Sequence, residues 1–430
     1  MELKFEFLVF IIFILVSLFL IYLKPIELKY HDQKIKYKDP ILNEILLENN
    51  FKRQDTTKLR YKLNNINDND LDLVLAKLRN LSVRKLDNKG ENKGENKEEI
   101  SKKTNELNHE NFSPTILSLS NEDKVTNKYK LFNMFNSKLG LEKTLEIIPL
   151  TYNLLKRGDY KSLMETCKYD NKPSYILKSN NDGINYIYIS NNNFDDIYSQ
   201  INNVNRFSTR QFSERICTKE NLDNNRYTVA QKFIGNQLLI NGYSLKLRLY
   251  IMISKYMGVT KGYIFRNGHI YYGNQKYNNN NLTRFNSVAS KEMMYHNRST
   301  ETVNNVYKNC PRSLLELKNN CKNLDNNINV NKLMDNLENL GSIICKTCSC
   351  NLGNSLVSVK NESFGLYTID VIVDNDLKPY LIKMSNIKPL IKPITEREKN
   401  IRKNVWNDTL ERNNLIVDKD GKNGFKLIYE

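Results

Sequence analysis

The spacing of apolar and polar positions changes character along the chain. Phe7 to Leu23 is an apolar run of seventeen residues with Ser17 as its only polar member. As a helix it spans roughly 25 Å at about 1.5 Å per residue, which predicts a short membrane anchor over residues 1–24. A cleaved signal peptide and a buried helix are the competing readings. The bulky Ile21-Tyr22-Leu23-Lys24 argues against cleavage. Lys24, Lys29, Lys34, Lys36 and Lys38 follow the run, and by the positive-inside rule they place the body in the cytoplasm. The expected topology is thus a single-pass membrane protein whose membrane contact is residues 7–23.

Residues 25–125 read as a charged tether. Ile41 to Leu47 and Leu71 to Leu78 have the spacing of short amphipathic helices. Lys85 to Lys103 contains the repeat Lys89-Gly90-Glu91-Asn92-Lys93-Gly94-Glu95-Asn96-Lys97 and has little to bury against its ordering entropy.

From 126 to 415 the pattern becomes that of a folded body, with a tail over 416–430. Leu141 to Ile148 reads as a helix with Leu141, Leu145 and Ile148 on one face. Ser174 to Lys178, Ile184 to Ser190, Tyr227 to Ile234, Leu245 to Ser254 and Val259 to Arg266 read as strands. Asn331 to Cys345 repeats Leu333, Leu337, Leu340 and Ile344 at helical spacing. Phe364 to Val373 and Pro379 to Met384 flank Asp374-Asn375-Asp376, a hairpin signal. Glu396 to Leu410 is a basic helix. Mixed strands and helices indicate an α/β or α+β body.

Composition narrows the class. The chain has 430 residues, a formal net charge of +17 and 40% hydrophobic residues, so it can bury a sizeable core. Sixteen Gly and nine Pro exclude a collagen, and seven Cys at this length exclude a disulfide-built miniprotein. The positive balance suits acidic protein tails, nucleic acid or an anionic surface alike.

Cys345, Cys348 and Cys350 lack a clear second pair and read as ordinary cysteines at a helix end rather than a metal centre. On the hairpin, Lys383 and Ser385 share a face and Asp370 can meet them across the ladder. Lys246 and Arg248 alternate in the same way on another strand. A basic cleft of Lys178, Lys246, Arg248, Arg266 and Lys383 would attract phosphates or carboxylates. The opposing reading is solvated charge on separate strands.

In order along the chain, several segments resemble the tubulin–tyrosine ligase and ligase-like family, whose fold is of ATP-grasp type. Ile147-Ile148-Pro149-Leu150-Thr151-Tyr152 resembles its lead-in to the first strand. Tyr175-Ile176-Leu177-Lys178-Ser179 resembles the segment with a nucleotide-binding lysine. Val229-Ala230-Gln231-Lys232-Phe233-Ile234 is similar to the adenine hinge, and Leu247-Arg248-Leu249-Tyr250-Ile251 to the stretch with an active-site arginine. Gly262-Tyr263-Ile264-Phe265-Arg266 looks like the strand with a second arginine. Gly365-Leu366-Tyr367-Thr368-Ile369-Asp370 and Leu377 to Ile382 resemble the terminal metal hairpin.

The resemblance implies an α+β ATP-grasp-like body that joins an amino acid to an acidic tail, tubulin's above all, through an acyl phosphate. It assigns Arg248 and Arg266 to catalysis, and Lys178, Gln231, Lys232, Phe233 and Ile234 to ATP. It assigns Asp370 to the metal. The departures fall on the chemistry. The family's glutamate and asparagine metal ligands are here Lys383 and Ser385, and the acid two residues before Arg248 is here Lys246. The loop after Lys178 keeps one glycine, Gly183, and Asn281 stands where the family has an acceptor-side histidine. An ammonium cannot bridge phosphate oxygens as Mg²⁺ does, so ATP is expected as a ligand and Mg²⁺ is not. A degenerate ligase with a basic nucleotide or acidic-tail cleft is the leading expectation. An active ligase and a basic interaction module are the alternatives. Nucleic acid is the disfavoured partner, because Tyr175, Tyr186 and Tyr188 read as packing residues.

Overall fold

The computed structural model describes residues 40–48, 73–75, 115–117, 119–169, 174–178, 187–189, 195, 197–201, 227–295, 299–320, 328–354, 363–387, 395–413 and 424–430. In chain order the strands are β1 Leu73–Leu75, β2 Thr115–Leu117, β3 Leu119–Ser120, β4 Thr151–Asn153, β5 Tyr175–Lys178, β6 Ile187–Ile189, β7 Val229–Lys232 and β8 Leu239–Ile240. They continue with β9 Tyr243–Tyr256, β10 Val259–Phe265, β11 His269–Tyr272, β12 Gly353–Asn354, β13 Ser363–Val373, β14 Pro379–Asn386 and β15 Phe425–Tyr429.

The architecture is α+β and is organised by β9. Its period-two pattern sends Leu245, Leu247, Leu249, Ile251 and Ile253 to one face and Tyr250 and Met252 to the other. Among the described residues, β9 anchors a nine-stranded sheet with path β1-β2-β13-β9-β10-β15, to which β8, β11 and β14 add. Every pairing in it is antiparallel except β2 with β13. The leucine face packs on the helix Val330–Ser349, which buries Leu333, Leu337, Leu340 and Ile344. The opposite face packs on the helix Glu396–Arg412 through Ile401, Val405 and Trp406. Ile41, Leu42 and Ile45 of the helix Pro40–Glu48 join that second layer, as does Phe425 of β15.

A smaller antiparallel sheet has the order β4-β7-β5-β6. It buries Tyr175, Leu177 and Ala230 against the helix Arg157–Tyr169 on one side. On the other, Ile176, Ile189 and Phe233 meet Leu282. The chain leaves β7 and runs beside the β13–β14 turn, where Gln237 bridges Asp374. The turn is fixed by Asp374, whose Oδ1 accepts from the backbone N–H groups of Asp376 and Lys378 at 3.0 and 2.9 Å.

Three expectations are corrected. The transmembrane anchor finds no support, because among the described residues no helix is long and apolar enough to cross a membrane. The longest, Val330–Ser349, has 20 residues, and Lys332, Asp335 and Glu338 give it a polar side, so it buries one stripe against a sheet instead of facing lipid on all sides. Residues 7–23, the repeat at 89–97 and the loop at 180–185 lie outside the described residues. The single-pass topology, the cytoplasm-facing body and the membrane as a partner are withdrawn with the anchor. Next, Leu71 to Leu78 contributes strand β1 rather than a helix, since Leu73–Leu75 pairs with Thr115–Leu117 and distant pairing overrides local spacing. Last, the helix at Leu141 ends at Leu145 and leaves Leu141 51% exposed, with Thr144 the residue turned inward.

Candidate functional site

The charged end of β9 carries Lys246 and Arg248 on the face that holds Tyr250. Strand register brings the rest. Asp370 of β13 stands opposite Arg248, Lys383 of β14 opposite Asp370, and His269 of β11 opposite Arg248 on its other side. Lys383, Asp370, Arg248 and His269 thus form one row across four strands. A bulge after Asp370 inserts Ile382, which lets Leu381 and Met384 both reach the core and keeps Lys383 beside Asp370. Ser385 pairs with Thr368 one step along the same face.

Asp370 is clamped. Arg248 donates from Nε to Oδ1 at 2.8 Å and from Nη2 to Oδ2 at 3.1 Å, and Lys246 Nζ donates to Oδ2 at 3.1 Å. Burial pushes the Asp370 carboxyl up. The charges of Arg248 and Lys246, the bonds from Arg248 and the Lys383 charge outweigh that and hold it well below the usual carboxylate range. The Arg248 guanidinium also lies 5.5 Å from the Tyr271 ring centroid.

His269 is buried and its Nε2 lies 2.9 Å from the Tyr250 hydroxyl. Burial, reinforced by the charges of Arg248, Arg402 and Lys291, lowers its pKa to about 3, so it is neutral at physiological pH. Lys291 donates to Glu398 Oε2 at 2.8 Å in a buried ion pair. Arg402, one helical turn after Glu398, is buried over the Tyr250 ring at 5.7 Å.

The residues expected at a nucleotide lie in or next to the small sheet. Lys178 is buried and its Nζ donates to Gln231 Oε1 at 2.7 Å. Gln231 Nε2 donates to Thr151 Oγ1 at 3.2 Å, and that hydroxyl donates to the Pro149 carbonyl at 2.7 Å. The chain of bonds fixes which way the Gln231 amide points. Lys232 is exposed, Phe233 is buried in the small apolar cluster, and Ile234 is half-buried.

Of the five cations expected in one cleft, the structure groups Lys246, Arg248 and Lys383 on Asp370 and sets Lys178 on Gln231. Arg266 follows the end of β10 and is exposed, with its backbone N–H donating to the Gly424 carbonyl at 2.9 Å. Among the described residues no ion pair joins it to the Asp370 row. Asn281 is exposed, and its carbonyl accepts from Asn286 Nδ2 at 2.8 Å. Cys345 and Cys348 are buried in the main core while Cys350 is exposed. Sequence reasoning missed His269, Tyr271, Lys291, Glu398 and Arg402. Strand β11 is short and wholly buried, so no alternation marks it, and the pairing of Lys291 with Glu398, 107 residues apart, leaves no local signal either.

The donor set does not fit Mg²⁺, which needs several oxygen ligands. Asp370 is the one carboxylate of the row and both its oxygens accept from cations. Among the described residues no group of three or more His, Cys, Asp or Glu is placed to hold a metal ion.

The structure is thus an α+β body with a charged strand row on one sheet and a buried lysine–glutamine pair in another. The family model of the tubulin-tyrosine ligase family matches residues 103–423, and the chain belongs to that family. It is 23% identical over 208 residues to the probable tubulin polyglutamylase TTLL9 of Rattus norvegicus, covering 47% of this chain and 42% of that protein. It is 23% identical over 191 residues to the probable tubulin polyglutamylase TTLL2 of Mus musculus, covering 43% of this chain and 33% of that protein. The chain thus spans less than half the length of these curated relatives. Membership in the family is consistent with ATP use.

Proposed function

We propose that this chain is a tubulin-tyrosine ligase family scaffold that has lost Mg²⁺-dependent ligation and keeps a basic cleft for a nucleotide or an acidic protein tail. One observation carries the reading. The carboxylate that would hold the cation is held by Lys246 and Arg248, and an ammonium, Lys383, stands in register beside it. A magnesium ion would neutralise the transferring phosphoryl group, and Asp370, the residue that would hold it, is already engaged by Lys246 and Arg248. Lys178 and Gln231 in β5 and β7, with Lys232 to Ile234 after them, would hold ATP on the small sheet. The net charge of +17 suits an acidic tail. The relatives' names, tubulin polyglutamylases, make tubulin's tail the first acceptor to test.

The test is transfer of labelled glutamate, tyrosine or glycine to tubulin by the full chain with ATP and Mg²⁺. The expected result is incorporation at the level of a no-enzyme control. Incorporation that needs Mg²⁺ and is abolished by Arg248→Ala would establish the competing reading of an active, divergent ligase.

A further inference from the structure

We propose that the cleft between β11 and the amino-terminal end of the helix Glu396–Arg412 binds a small monocarboxylate, whether or not ligation is lost. The cleft measures about 310 Å³ with its open mouth, the size of a small-ligand pocket. Tyr271, Tyr295, Tyr307, Arg312, Arg397 and Glu398 wall it. The first observation is Tyr271. Its side chain is 2% exposed, and its hydroxyl has no hydrogen-bond partner among the described residues. The ring is held in place, because His269 stacks on it at 5.9 Å and the Arg248 guanidinium lies 5.5 Å from its centroid. Burial keeps the phenol protonated, so it faces the cleft as a donor. A buried donor without an acceptor is costly, and a ligand that accepts from it removes the cost.

Charge and the helix end define the acceptor. The helix has 17 residues, and the N–H groups of its first turn have no partner four residues back. The capping box occupies those of Thr395 and Glu398, which leaves Glu396 and Arg397 at the positive end of the dipole. Arg312 is anchored at the edge of β11, where its carbonyl accepts from the Ile270 N–H at 2.9 Å. Its guanidinium lies 4.7 Å from the Tyr307 ring centroid. Among the described residues its side chain makes one long bond, to Asn304 Oδ1 at 3.4 Å, and no ion pair. The acids nearby are already matched. Glu398 accepts from Lys291 at 2.8 Å, and Glu316 pairs with Arg397. Arg312 is therefore the cation in excess. A carboxylate brings the one negative charge required, fits the flat guanidinium fork and has a second oxygen for the phenol. Phosphate carries up to two charges. A zwitterionic amino acid fits less well, since no acid is left over for its ammonium. The Tyr295 and Tyr307 rings suit a flat apolar body behind the carboxylate.

The experiment is ligand-observed NMR titration of the full chain with benzoate, against benzyl alcohol, benzylamine, inorganic phosphate and free glutamate. Benzoate should bind more tightly than each of the other four. Tyr271→Phe deletes only the hydroxyl and should weaken benzoate roughly tenfold with no loss of stability, because the donor it removes has no partner among the described residues. Arg312→Gln should weaken it by roughly the same factor. Folding of both variants is checked by the fluorescence of the buried Trp406. Benzylamine binding as tightly as benzoate would make the cleft a cation cage. Phosphate or glutamate binding as tightly would refute the charge count, and benzyl alcohol binding as tightly would leave the carboxylate without a role. Affinity unchanged in either folded variant would place benzoate elsewhere. Each of these overturns the proposal, as does benzoate that fails to bind. Amino-acid transfer to tubulin would refute the loss of ligation and leave the cleft untouched.

Discussion

Asp370→Asn isolates the central electrostatic feature, because it removes one charge at nearly constant shape. Lys246 and Arg248 lose the partner they hold at 3.1 and 2.8 Å, and the new amide offers donors toward them. Removing one member of a buried ion pair costs about 3–5 kcal/mol, and partial exposure of both cations reduces the expected loss to about 2–3 kcal/mol. Trp406, the chain's one tryptophan, is buried in the layer beside Tyr250 and reports unfolding in urea. The predicted midpoint shift is roughly 1 M at an m-value near 3 kcal/mol/M. The pH arm fixes the sign. The folded-state pKa of Asp370 lies below its unfolded value, so its contribution is complete above about pH 4 and is lost as pH falls through the folded value. The variant should lose that part of the acid limb. A variant as stable as the parent, with an unchanged acid limb, would refute the clamp.

Two further outcomes follow from the buried groups behind the row. His269 is held neutral, so its contribution is complete above about pH 6.5 and declines as pH falls toward its folded value of about 3. Ring NMR should show a neutral imidazole at pH 5, and an imidazolium signal there would contradict the burial argument. Lys291→Met leaves Glu398 buried without its cation and should cost about 3–5 kcal/mol, whereas Lys291→Met with Glu398→Leu should recover most of it, measured by urea unfolding. Equal losses in the single and double variants would show that the pair is not coupled.

Much of the frame was legible because period-two alternation is a local signal. Leu245 to Ile253 announces β9, and Asp374-Asn375-Asp376 marks the turn between β13 and β14. The same parity rule gives Lys246 and Arg248 a shared face on one strand and Lys383 and Ser385 a shared face on another strand. What alternation cannot supply is which strands become neighbours. Asp370 lies 122 residues from Arg248, and only the β9–β13 register makes them partners. That is also why the five expected cations divide between two sheets. The helices Lys128–Leu139 and Arg157–Tyr169 carry little local signal, since their apolar stripes are interrupted by residues such as Asn, Ser and Lys and gain their burial from tertiary neighbours. Strand β11 is four residues long and all buried, too short for its period to stand out.

The layer around Trp406 is closed from both directions of the chain. Ile41, Leu42 and Ile45 cover the helix Glu396–Arg412 from the amino-terminal side, while Phe425 meets Phe265 edge to face from the carboxyl-terminal side. Trimming the protein to the family-matched span 103–423 would therefore strip both covers and lay bare an apolar strip, so the shortened chain should clump or unfold although every residue of the charged row is still in it.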